Sequence, residues 1–304
     1  MIVIAEDDDT YEFQEYEFDP PTAREVDSVR LKIEKILIMG WRHDLPDIIM
    51  LIDQKSAKGS ELYIIAEFPV DEREAVLNDL KVNEETLTHI TIKHYQGSSK
   101  RHVSVLPIAQ LTSCLIFADE AKGLDILASD CVSIKNLLLL REIQMLHFCP
   151  HTDTSPAVEC AMMQRCPVIV EVLDTTTQMS IQSSPTLLRL SDYLQSNLMI
   201  SRVMAMVSED RAVNSILDEL LGVGGAGLEL KPSELYVNPG EHISFMQLCK
   251  RAQGANEILW GYQVTPGTKE GNTYMNPRDK IEKKSWEDHF LITMAGPPKF
   301  PEFY

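Results

Sequence analysis

The chain has 304 residues, of which 44% are hydrophobic, and its 46 acidic against 28 basic side chains leave a formal net charge of −18. That length and apolar content suit one large domain or two smaller ones, while the negative balance argues against a nucleic-acid partner. No apolar run reaches the roughly 18 residues of a membrane-spanning helix, and the start lacks the basic-then-apolar pattern of a secretory signal, so neither feature is expected in this segment.

Residues 1–32 read as an acidic linker or tail. Residues 1–29 carry ten acids against the single Arg24, a composition that solvates itself rather than building a core. From residue 33 the texture changes. Ile36 to Met39 is a short apolar run closed by Gly40, and a helical pattern follows through Ile48, Ile49, Leu51 and Ile52. Strands are expected at Glu61 to Ala66, His89 to Lys93, Thr112 to Ala118 and Val168 to Val172, with helices at Asp71 to Leu80 and Leu124 to Leu146. Strands alternating with helices at this spacing mean βαβ units and a parallel sheet. Residues 33–195 are therefore expected to form a doubly wound, Rossmann-like α/β layer.

Two helices, Asn197 to Met206 and Arg211 to Leu221, make a crossover at 196–224. The glycines of Gly222–Gly227 follow a helix, not a strand, and no P-loop lysine accompanies them, so they read as a helix stop and linker. Residues 225–296 read as a small α+β lobe. Strand-like pieces are expected at Leu228 to Leu230, Glu234 to Val237, Glu257 to Val264 and Phe290 to Met294, with one helix at Ser244 to Ala252. Residues 297–304 remain as a tail.

The first βα turn carries most of the functional information. A dinucleotide-binding turn places Gly-x-Gly-x-x-Gly straight after the first strand, so that the backbone can approach a pyrophosphate at a helix N-terminus. Here the turn is Gly40-Trp41-Arg42-His43-Asp44-Leu45-Pro46. Only the first glycine is present. Trp41 and Arg42 take the space of a pyrophosphate, and Asp44 would repel one. Glu67, just after the second strand, sits where a ribose-binding acid often lies. Gly40, Arg42, Glu67 and Asp119 are therefore the candidate ligand-binding residues.

Other chemistry is thinly represented. The six cysteines form no Cys-x-x-Cys pair, and Cys114 and Cys249 read as buried thiols of a reducing compartment. His147, Cys149 and His151 make the one hint of zinc, against a plainer reading as a loop with surface histidines. No Gly-x-Ser-x-Gly elbow, His-Glu-x-x-His motif or spaced carboxylate pair appears. The chain is not expected to be an enzyme.

Several segments together resemble the regulatory domain of the CASTOR/POLLUX family of ion channels. They include Ile36 to Met50 with its Gly-Trp-Arg-His-Asp turn, Phe68 to Glu74, Ile116 to Glu120, Ser191 to Asn197, Ala205 to Arg211 and Glu257 to Tyr262. The likeness spans about residues 33–296 and departs from the family pattern at Phe148–Cys166 and Gly267–Thr273. It implies paired RCK domains (regulators of conductance) in a gating ring, with this chain as the second RCK domain and its C-terminal lobe. It implies self-association into a dimer or tetrameric ring, and a pore and first RCK domain upstream of Met1. It implies a nuclear-envelope location like that of plant relatives, or otherwise a cytoplasmic one, and a ligand such as Ca2+ that controls the pore. Calcium needs several converging oxygens. Asp44, Glu67, Asp71, Asp119 and Glu120 are the candidates, although the same acids can cap helices or pair with Arg42, Arg73 and Lys122. Two alternatives remain open: a standalone RCK-like nucleotide- or ion-binding regulator of a transporter, and a nucleotide-dependent Rossmann enzyme.

Overall fold

The computed structural model describes residues 31–83, 86–118, 125–148, 166–221, 227–264 and 272–295. The chain divides between Asp218 and Glu219 into two units.

The first unit begins with β1 (Lys35–Met39), α1 (Leu45–Lys55), β2 (Ser60–Ala66), α2 (Val70–Asp79), β3 (Ile90–Gln96) and the short α3 (Lys100–Val103). It continues with β4 (Ser113–Ile116), α4 (Ile126–Phe148), β5 (Val168–Val172), α5 (Thr175–Gln182), α6 (Pro185–Leu190), β6 (Asp192–Gln195) and α7 (Ser196–Glu209). The helix α8 (Ala212–Leu221) runs across the division between the units. Six strands pair in parallel in the order β3-β2-β1-β4-β5-β6. The chain therefore builds outward from β1 in one direction, then returns and builds outward from β4 in the other. This is the Rossmann-like arrangement expected from the alternating runs, and its switch point lies between β1 and β4.

The near-continuous apolar runs of the central strands follow from a sheet covered on both faces. Because side chains alternate along a strand, β1 sends Leu37 and Met39 to one layer and Ile36 and Ile38 to the other. The first set joins Tyr63, Ile65, Cys114, Ile116, Val168 and Val170 beneath Leu137, Leu140 and Ile143 of α4. The second joins Leu62 and Ile64 beneath Leu45 and Ile49 of α1 and Leu77 of α2. Each fully buried aliphatic side chain contributes about 1.5–3 kcal/mol. At the far end of α1, Asp53 accepts the N–H groups of His89 at 2.8 Å and Ile90 at 2.9 Å, tying the helix to the start of β3. Burial pushes the Asp53 carboxyl up, but these N–H bonds outweigh it and hold it below its usual value.

The last two helices differ from the rest. Neither α7 nor α8 contains a buried residue. Met199, Ile200, Met204, Met206, Ile216 and Leu221 are all exposed on them.

The second unit holds β7 (Leu228–Pro232), β8 (His242–Ser244), α9 (Phe245–Gly254), β9 (Glu257–Val264), β10 (Thr273–Met275), β11 (Lys283–Ser285) and β12 (His289–Ala295). A four-stranded antiparallel sheet runs β10-β9-β12-β7, and among the described residues β11 pairs with β8 alone. A reciprocal capping box starts α9: Gln247 N–H donates to Ser244 Oγ at 3.3 Å, and Ser244 N–H to Gln247 Oε1 at 2.9 Å. Phe245, Leu248 and Ala252 of α9 then pack with Leu259, Tyr262, Trp286 and Leu291. The strand expected at Glu234 to Val237 is instead a 3-10 turn at Ser233–Leu235. Pro232 has no N–H to continue a ladder, and the Ser233 carbonyl accepts Tyr236 N–H at 2.8 Å, which closes the turn.

Candidate functional site

The switch point is built by the turn after β1, the exits of β4 and β5, and the start of α1. Gly40 has φ +105, and a Cβ placed on it would lie 2.6 Å from the Phe117 carbonyl oxygen. Only glycine allows both the backbone conformation and that approach. The ladder continues past the strand ends, with Gly40 N–H donating to Ile65 O at 3.0 Å and Phe117 N–H to Met39 O at 2.8 Å.

Trp41 turns into the core instead of the crevice. It is 6% exposed and stacks on Phe68, with ring centroids 5.7 Å apart. Arg42 is left facing the switch point. Its Nε and Nη2 donate to the two carboxylate oxygens of Asp44 at 2.8 and 2.7 Å. Its Nη1 donates to Glu171 Oε1 on β5. The other oxygen of Glu171 accepts the Ala118 N–H at 3.0 Å, and Glu171 is 3% exposed. Burial acts to lower the Arg42 guanidinium, but its bonds to Asp44 and Glu171 outweigh burial and hold it above its ordinary value.

One arginine therefore bridges the first turn to the fifth strand, and one glutamate holds both that arginine and the exit of β4. An anion arriving at this crevice meets two carboxylates and a guanidinium each of whose three nitrogens already donates to one of them. A pyrophosphate needs the opposite arrangement, free N–H groups at a helix N-terminus. Asp44 stands at the N-cap position of α1 without capping it, because its carboxylate is taken by Arg42.

The other candidate residues stand apart from this clamp. Glu67 follows β2, is exposed, and accepts the Ser98 hydroxyl. Asp71 is exposed in the first turn of α2. Asp119 and Glu120 lie outside the described residues, as do Lys122, Cys149 and His151. Among the described residues no group of three or more His, Cys, Asp or Glu side chains is placed to hold a metal ion. Cys114 is fully buried, which pushes its thiol up, and the half-buried Cys249 is pushed up to about 11 by burial.

Glu171 was not among the candidates read from the sequence. Its signal is visible in retrospect: Val168-Ile-Val-Glu-Val172 is an apolar strand with one acid, and a carboxylate in a covered strand needs a cation or N–H donors.

Among the described residues no helix is long and apolar enough to cross a membrane. No protein-family model matches the chain. Among solved structures, the human SLO3 gating ring is similar in fold, with a TM-score of 0.52 and 10% identity over 88% of this chain and 45% of that one. Sequence similarity is much stronger to plant proteins. The chain is 33% identical to the probable ion channel POLLUX of Arabidopsis thaliana over 324 residues, covering 97% of this chain and 37% of that protein. It is 31% identical to the probable ion channel CASTOR of Oryza sativa subsp. japonica, covering 96% and 34%. It is also 31% identical to the ion channel CASTOR of Lotus japonicus, covering 96% and 35%. The chain spans about a third of the length of these relatives. Over nearly all of its own length, the chain is homologous to a segment of the CASTOR/POLLUX family of ion channels.

Proposed function

We propose that the chain is the gating-ring segment of a CASTOR/POLLUX-like cation channel, its second RCK domain with the C-terminal lobe, and not an enzyme. In this reading residues 33–195 form the Rossmann-like lobe, 196–224 the crossover and 225–296 the small lobe. The observation that carries it is kinship to ion channels across 97% of the chain, in a fold shared with a gating ring. The closed switch point supports a non-enzymatic role, because Arg42 occupies the crevice where a dinucleotide cofactor would lie.

A ring responds to a ligand only if the ligand binds one of its two states better. Self-association into a dimer or tetrameric ring is supported by α7 and α8, which carry exposed apolar side chains and bury none. A ligand such as Ca2+, taken by acids among Asp44, Glu67, Asp71, Asp119 and Glu120, would bias that assembly. In this reading the pore and the first RCK domain belong to the same channel, with the nuclear envelope as the location that the resemblance implies.

The test is mass in solution by light scattering, in EGTA, CaCl2 or MgCl2. The expected result is a dimer or tetramer of the 34.4 kDa chain, split by Met199→Glu and changed by CaCl2 but not by MgCl2. A monomer under all three conditions would overturn the ring. Identical behaviour in CaCl2 and MgCl2 would overturn Ca2+ as the ligand.

A further inference from the structure

The second unit holds a cluster of rings around a single ammonium group. Trp286 is 1% exposed and Tyr262 is 8% exposed. Their ring centroids are 5.2 Å apart and their planes stand at 88°, so the two side chains meet as the walls of a corner. The corner is fixed from several directions. Trp286 Nε1 donates to the Ile243 carbonyl at 2.7 Å. Phe245 lies against both rings, at 6.2 Å from Tyr262 and 6.3 Å from Trp286. Tyr274 stacks on Tyr262 at 5.0 Å. That stacking depends on Gly261, where a Cβ would lie 2.1 Å from the Tyr274 carbonyl oxygen.

Lys284 enters this corner from β11. Its Nζ lies 3.6 Å from the Tyr262 centroid and 4.3 Å from the Trp286 centroid. Both distances are well inside the range in which an ammonium is attracted by a ring quadrupole, and burial of the rings strengthens that attraction. The contact also joins two sheets. Lys284 is on β11, which pairs with β8, whereas Tyr262 is on β9 of the four-stranded sheet. Rings at these distances and this angle are the arrangement that selects alkylated ammonium ions, whose charge is spread over apolar methyl groups.

We propose that Tyr262 and Trp286 form an ammonium-binding site, which the chain fills with its own Lys284 and which takes an alkylammonium ligand when that side chain is withdrawn. The site acts as a latch. While Lys284 occupies it, β11 is held against β9, and a competing alkylammonium releases the two-stranded sheet.

Two measurements on the full chain test this, using tetramethylammonium chloride as the probe and equal NaCl as the control. In 19F NMR of fluorotryptophan-labelled protein, the Trp286 resonance of Lys284→Ala, which empties the corner, should shift saturably with tetramethylammonium but not with NaCl. Adding Tyr262→Leu should abolish the shift. By hydrogen exchange, amides of Lys283–Ser285 should open about 2- to 30-fold faster in Lys284→Met and keep their protection in Lys284→Arg. Wild-type protein keeps the measurement decisive if the neutral variant does not fold, because high tetramethylammonium should speed exchange in β11 relative to equal NaCl. Equal effects of the two salts on every protein, with β11 exchange unchanged by loss of the charge, would overturn the proposal.

Discussion

Replacing Arg42 by Met keeps most of the apolar stem of the side chain and removes its charged end. In the native structure Glu171 is 3% exposed and Arg42 17%, so the substitution leaves a buried carboxylate whose remaining described bond is from Ala118 N–H. Breaking a buried pair from one side costs about 3–5 kcal/mol, and the partial exposure of Arg42 places the expectation near the lower end. The Asp44 contact adds little, because that carboxylate is 36% exposed and surface pairs contribute about 0–1 kcal/mol. Glu171→Gln should cost less, about 1–2 kcal/mol, since an amide oxygen still accepts an N–H and Arg42 keeps Asp44. The double variant has neither charge to strand, so its loss should fall about 2–3 kcal/mol short of the sum. Urea unfolding followed by 19F NMR reads this cleanly, because Trp41 reports on the first unit while Trp260 and Trp286 report on the second. A stable Arg42→Met, or a cycle additive within about 0.5 kcal/mol, would refute the clamp.

Two further outcomes are expected. Burial, and after it the Arg73 charge, push His94 down from 6.5 to about 4, and its Nδ1 is buried with no hydrogen-bond partner. The fold thus favours the neutral ring, so its contribution is complete above pH 6.5 and is lost as the pH falls from there to about 4. Allowing for partial solvent access, the loss is about 1–2 kcal/mol, measured as the pH dependence of the urea midpoint; a His94→Gln variant with the same pH profile would contradict it. Gly40→Ala should cost about 2–4 kcal/mol, from the unfavourable backbone and the contact with Phe117 O. An unchanged urea midpoint would show that the turn relaxes freely.

The central strands were legible because they are covered on both faces. Ile36 to Met39 and Val168 to Val172 stand out as apolar runs wherever they are placed. The shorter pieces gave no such signal. β6 reads Asp-Tyr-Leu-Gln, with one residue of four buried, and α5 begins with three threonines, which favour strands by propensity. That helix forms because Asp174 accepts Thr177 N–H at 2.9 Å and caps it. The three-residue strands β8, β10 and β11 are too short for periodicity to show. At the switch point the turn sequence showed that a pyrophosphate would not fit, but not why. Arg42 and Asp44 are two residues apart and could be paired by eye. Glu171 is 129 residues from Arg42, and only the strand order brings them together. Trp41 was read as filling the crevice, whereas the pocket offered by Phe68 draws it inward.

The strand order also sets a timetable for assembly. β1 meets β2 across a separation of 26 residues but meets β4 across 77, which adds about 1 kcal/mol of loop-closure entropy to the second pairing. Pairing of β1, β2 and β3 is thus the cheaper first step, and β4 to β6 must add to an existing edge. The bond between Arg42 and Glu171 spans both halves, so it cannot form until β5 has been synthesised and has docked. Until then a nascent chain presents a Rossmann half-sheet with its crevice open, and the arginine seals that crevice among the last events of folding.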